Sequence, residues 1–233
     1  MKVLLDRMNV FDAITTRKKV VKFKDTAIDD KLIGVMLYAA THAHSAGEQQ
    51  EWHFIIVRDE KTKKKLSEAS LHNPLVKSAP VDIVICADVG KMGRRFDKRG
   101  EVFYSVQDTA AASMILMIAA TNLGLDSAWV SSLDEEWVKD VLNLPDNFRP
   151  VAILAVGYSQ EKESLQERIP FDNISWNEKY GKKYDISYIF QPGAKKDVEL
   201  KPMGNIIEDA IKKYREEEYR GFSFRNFLKK IFR

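Results

Sequence analysis

The chain has one cysteine, Cys86, in 233 residues, so no internal disulfide is possible, and a single thiol cannot staple a small or irregular fold. Because Cys86 lies inside the apolar run 81–87, it reads as a buried thiol in a reducing, cytoplasmic compartment. Charge of one sign is also missing. The 37 Lys and Arg residues meet 34 Asp and Glu residues, leaving a net charge of +3 and a mixed surface that gives no general case for nucleic acid. No segment approaches the ~20 consecutive apolar residues of a membrane span, and the opening residues, 1–7, meet charge too early for a signal peptide. No G-x-G-x-x-G or P-loop pattern follows any predicted strand, which argues against a doubly wound nucleotide fold. His42 and His44 form a His-x-His pair without a third ligand cluster, so no metal site is expected.

What remains is a globular composition, 45% hydrophobic and 30% charged, long enough for one main domain. The periodicity predicts a short helix at 10–16 and a second opened by Asp29, with Leu32, Ile33, Met36 and Leu37 at helical spacing. Strands are expected at 53–57, 81–87, 128–130 and 151–157, with a charged helix at 61–69 whose Lys63, Lys64 and Lys65 read as a solvated face. The longest helix, 105–123, is apolar on most sides and closes at Gly124. A helix of that kind needs burial all round, and a subunit interface supplies it, so a homodimer is expected. Ser132 and Glu135 form a capping-box pattern for a helix at 134–142.

After residue 190 the character changes. A turn at Gln191-Pro192-Gly193 precedes a charged helix at 205–220 and a basic tail, with Phe224, Phe227, Leu228, Ile231 and Phe232 opposite Arg225, Lys229, Lys230 and Arg233. The domain 1–190 is therefore followed by a helical extension, 191–233, suited to docking on a partner subunit or to lying on a membrane surface.

The chemistry starts from Arg17-Lys18-Lys19, answered far downstream by Arg168: cations that converge suit a phosphate, although a basic triplet by itself is ordinarily a solvated surface. Arg17-Lys18-Lys19-Val20-Val21-Lys22-Phe23, the segment Ser45 to Phe54, Asp108-Thr109-Ala110-Ala111-Ala112, Ala128-Trp129-Val130-Ser131-Ser132-Leu133 and Arg168-Ile169-Pro170 follow one another in order. On these pieces the chain resembles the nitroreductase family of FMN-dependent oxidoreductases across roughly residues 8–181.

The resemblance implies an α+β fold, a mainly antiparallel sheet flanked by helices, in an intertwined homodimer with FMN at the interface. It implies phosphate contacts from Arg17, Lys18, Lys19 and Arg168. It also implies ribityl and ring contacts from His44, Ser45 and Ala46 of the partner subunit, and Asn73 at the pyrimidine edge. Trp129, Val130, Ser131 and Ser132 would cover one flavin face. Two bland alternatives stand beside these: Asn73 before Pro74 suits a turn, and Trp129 suits plain core. Phe103 and Tyr104 read as packing or as the lining of a substrate slot.

The activity implied is ping-pong transfer of hydride from NAD(P)H through FMN to an electron-poor small molecule such as a nitroaromatic or quinone, with no side-chain catalytic residue. The alternative is a flavin-binding protein of little turnover whose basic tail recruits a membrane or protein partner. The chain departs from the family pattern at Val21, where Arg or Lys is usual near flavin N1, at Lys19 for Ser or Thr, at Glu48 for Asn and at Glu51 for Pro.

Overall fold

The computed structural model describes residues 8–164 and 167–184. The chain divides into a unit ending at Leu165 and a second beginning at Gln166. The first unit runs α1 (Val10–Thr15), β1 (Lys19–Phe23), α2 (Asp30–Ala40), β2 (Trp52–Val57), α3 (Glu60–Ala69), α4 (Pro74–Ser78), β3 (Val81–Asp88), α5 (Val89–Arg99), a π-helical turn (Gly100–Tyr104), α6 (Ser105–Asn122), β4 (Asp126–Val130), α7 (Glu135–Leu142), β5 (Phe148–Gly157) and β6 (Ser159–Glu163).

Strands β2-β3-β5-β4 form a four-stranded sheet in that order, and β1 pairs with β6 in a two-stranded ribbon. Every one of these pairings is antiparallel, as the α+β expectation requires. The strands nevertheless read as continuous apolar runs because both faces of the larger sheet are covered. On β3, Val81, Ile83 and Ile85 pack with Ile33 and Met36 of α2 and Leu116 of α6, while Val84 and Cys86 pack with Leu66 of α3 and Val138 of α7. Cys86 is fully buried, and that burial pushes its thiol up to about 12.

Helix starts follow local chemistry. Asn9, Asp29, Asp59, Asn73, Asp88 and Asp134 each accept a backbone N–H of the first turn. Two expectations are corrected. The cap of α7 is Asp134, accepting from the Trp137 amide at 3.0 Å, rather than Ser132, because Asp134 stands next to the first helical residue and its carboxylate is the stronger acceptor. Lys63 is buried rather than solvated: its ammonium donates to the Ala79 carbonyl at 2.8 Å and pairs with Glu60 at 2.6 Å. It also faces the buried Asp82, whose carboxyl burial drives well above its ordinary range while Lys63 opposes the shift.

The continuous helical stretch Val89–Asn122 contains a window long and apolar enough to cross a membrane, which amends the expectation that none approaches that length. Its residues Ala112, Leu116, Met117 and Ala120 belong to the core instead. Two breaks interrupt the stretch, at Phe96–Asp97 and at the π-helical turn.

In the second unit, the described residues form a short 3-10 turn (Phe171–Asn173) and a bridge between Trp176 and Lys183. The turn at 191–193, the charged helix at 205–220 and the basic tail lie outside the described residues.

Candidate functional site

Helix α1 ends at Thr16, whose hydroxyl donates to the Asp12 carbonyl, and the chain then turns directly into β1. That turn sets Arg17 and Lys18 in the lining of a cavity of about 300 Å³. The opposite walls come from Thr121 at the end of α6, from Asp126 and Ser127 at the start of β4, and from Lys162 of β6. The Arg17 guanidinium approaches the Met117 sulfur at 3.9 Å, and Lys162 pairs with Asp126 at 2.8 Å. Asp126 is held in place by the amide and hydroxyl of Ser159, at 3.1 and 2.6 Å. The Ser127 hydroxyl is buried and makes no hydrogen bond within the described residues.

Arg17, Lys18 and Lys162 against the single carboxylate Asp126 leave this recess net positive, which fits a phosphate monoester, whose oxygens accept from such donors. Lys162 and Ser127 were not singled out by sequence. Lys162 lies in a polar run whose strand character shows only through pairing with β1, and Ser127 is one ordinary hydroxyl ahead of an apolar strand. Lys19 stands apart from this cavity: its ammonium pairs with Glu163 across the β1–β6 ribbon at 3.1 Å, both side chains exposed. Arg168 belongs to the second unit.

The loop after α2 carries the second group. Ser45 is buried and its Oγ accepts from the Gln50 amide at 3.1 Å; the Ala46 amide donates to Asp108 of α6 at 2.7 Å. His44 is exposed, and its charge opposes the rise in the Asp108 pKa. Beneath the loop lies Glu51, with no exposed surface and neither carboxyl oxygen making a hydrogen bond among the described residues. Burial, reinforced by the neighbouring Asp108, pushes Glu51 up to about 7, against its own backbone amide and Lys91, which pull it down. Burial likewise raises Asp108, partly offset by the Ala46 amide. Glu51, wholly buried beside a second carboxyl, is thus held toward its protonated form.

The other expected residues sit on separate elements. Asn73 caps α4, accepting from the Leu75 amide at 3.0 Å, so its turn role is visible. Trp129 packs partly buried against the main core, Val130 is buried, and Ser131 and Ser132 are exposed beyond the end of β4. None of residues 44–46, 73 or 129–132 lines the Arg17 cavity. Val21 is 36% exposed on β1. Among the described residues, no group of three His, Cys, Asp or Glu gathers.

The family model described as "Nitroreductase family" matches residues 14–77 and 69–158, more than half of the chain. The chain belongs to the nitroreductase family. It is accordingly an oxidoreductase, and its relatives are named for such activities. A protein of Methanothermobacter thermautotrophicus, named as a candidate NADH dehydrogenase/NAD(P)H nitroreductase, is 30% identical over 73% of this chain and 87% of its own length. The FMN reductase (NADPH) of Bacillus subtilis is 25% identical over 70% of each chain. Among solved structures, B. megaterium NfrA2 superposes with a TM-score of 0.70 at 23% identity, covering 78% of each chain. A nitroreductase family protein of Streptococcus pneumoniae gives 0.66 at 25% identity, covering 72% of this chain and all of that one. These likenesses place the α+β architecture within the nitroreductase fold.

Proposed function

We propose that this nitroreductase-family chain is an FMN-dependent oxidoreductase, passing hydride from NAD(P)H to an electron-poor small molecule such as a nitroaromatic or quinone by a ping-pong cycle. The observation that carries the reading is the net positive cavity lined by Arg17, Lys18 and Lys162. Its charge suits the phosphate of a flavin mononucleotide and leaves no comparable gain for riboflavin. Arg17 supplies a planar donor fork to that phosphate, and Lys18 and Lys162 supply point charges. Arg168 and Lys19 join the assignment on resemblance alone.

Bound FMN would supply the hydride chemistry itself. The chain's own residues then have three tasks: holding the phosphate, presenting His44, Ser45 and Ala46 to a partner's flavin, and covering a flavin face with 129–132. Asn73 is retained at the pyrimidine edge. No side-chain acid or base is required.

The homodimer is supported by an apolar recess of about 460 Å³ between α1, α2 and α6, lined by Val10, Val35, Ala39, Ile115 and Ile118. Phe11 and Tyr38 stand 73% and 70% exposed. Helix α6 thus buries one face in its own core and offers the other to a second copy. A free, buried thiol suits a cytoplasmic setting.

The test is calorimetric. Arg17→Ala is expected to weaken FMN binding at least about tenfold, the loss of one charge-assisted contact, and to leave riboflavin binding unchanged. Equal losses for both ligands would remove the phosphate assignment.

A further inference from the structure

Beyond the flavin cavity, a separate concentration of positive charge in the first unit lies on α5. Residues 91–99 hold Lys91, Arg94, Arg95, Lys98 and Arg99 against a single acid, Asp97, in a chain whose charges otherwise nearly balance. Arg94, Arg95, Lys98 and Arg99 are exposed. Lys98 pairs with Glu101 at 3.1 Å, but among the described residues Arg94 has no hydrogen-bond or ion-pair partner, and Arg95 contacts only a ring. The rings make a continuous series. Arg95 lies 5.7 Å from the Phe96 ring, Phe96 meets Tyr104 edge-on at 5.4 Å, and Arg99 covers both Tyr104 and Phe103 at 5.3 and 4.9 Å. Phe103 is 43% exposed.

This surface is fastened to the loop that carries Ser45 and Ala46. Phe96 rests on Gly47 so closely that a Cβ there would come within 2.8 Å of the ring, and the Lys91 ammonium donates to the Gln49 carbonyl. The backbone at Asp97 adopts φ 50° and ψ −150°, a region nearly reserved for glycine, and the turn that follows is π-helical. Such departures persist where surrounding structure enforces them, and they concentrate at working sites.

Unpaired guanidiniums beside exposed aromatic faces bind a phosphate and stack a purine at the same time. The patch is confined to about two and a half helical turns, too short to follow a nucleic-acid backbone. We propose that Arg94 and Arg95 bind the 2′-phosphate of NADPH, with the adenine against the exposed Phe103 ring, so that α5 selects the phosphorylated donor over NADH. The proposal rests on the donor half of the proposed function and names the residues that choose between the two nucleotides.

Two measurements test it, one independent of turnover. In calorimetry, adenosine 2′,5′-bisphosphate is expected to bind the full chain at least about tenfold more tightly than adenosine 5′-monophosphate, and Arg94→Ala/Arg95→Ala to abolish the difference. In stopped-flow reduction, the double variant is expected to lower the NADPH to NADH ratio of kcat/KM at least about tenfold. Lys64→Ala/Lys65→Ala, which removes two exposed cations from α3, should leave the ratio unchanged and so separates local contact from net charge. Equal binding of the two adenosine probes, or selectivity that survives the double substitution, overturns the proposal. A flavin bleached equally well by both donors would sink this inference and leave the proposed function standing. A colourless chain that still selects the bisphosphate would do the reverse.

Discussion

Glu51 occupies a position where the family pattern has Pro, and its carboxyl is wholly buried beside Asp108. Its pKa is raised from 4.5 to about 7, so the folded chain holds a proton that the unfolded chain releases. This contribution to stability is complete below about pH 4.5, falls as pH rises through the window to about 7, and is flat above it, a loss on the order of 3 kcal/mol. Urea melts at pH 5 and pH 8 should show it, and Glu51→Gln should flatten most of the difference; an unchanged pH profile in that variant would show that Glu51 does not carry the proton. The departure at Glu51 was legible in the sequence, but its burial and its pairing with a residue 57 positions away were not. The same limit explains Lys63: three consecutive lysines suggest a solvated face, yet helical geometry turns one of them inward toward Asp82.

Among the elements, α2 was readable from its helical apolar spacing, α3 as a charged helix, α6 as a long and largely apolar one, and β3 and β5 as short buried runs. Strands β1 and β6 were not, because their ribbon exposes most of its residues and carries Lys and Glu in facing positions. Helix α5 was not anticipated either, since its charge and its glycines leave no apolar period to follow. The glycines have a structural task instead. Gly100 packs so tightly against the Met92 carbonyl that a Cβ would come within 2.3 Å of its oxygen, a backbone atom that cannot rotate away. Gly100→Ala is therefore expected to cost at least about 2 kcal/mol and to loosen the joint between α5 and α6. Chemical denaturation checks it, and a change under about 0.5 kcal/mol would mean that the π-helical turn relaxes freely.

For the whole molecule, the family resemblance carried the antiparallel α+β architecture, which strand composition alone would have misassigned because helices cover both faces of the sheet. It also pointed to Arg17 and Lys18, which the fold sets on one cavity, whereas Lys162 and Ser127 became visible only through the fold. The exposed apolar recess between α1, α2 and α6 predicts a dimer. Ile118→Glu, placing a charge in that recess, should shift the sedimentation coefficient to that of a monomer and release flavin. A variant that stays dimeric would move the interface elsewhere.

The central claim, a flavin reduced by a nicotinamide nucleotide on this chain, is tested most directly by the anaerobic visible spectrum of the purified protein before and after NADPH. The account predicts a flavin spectrum that bleaches on addition. A protein that is colourless and fails to bind added FMN, or a bound flavin that stays oxidised with both NADPH and NADH, would contradict it.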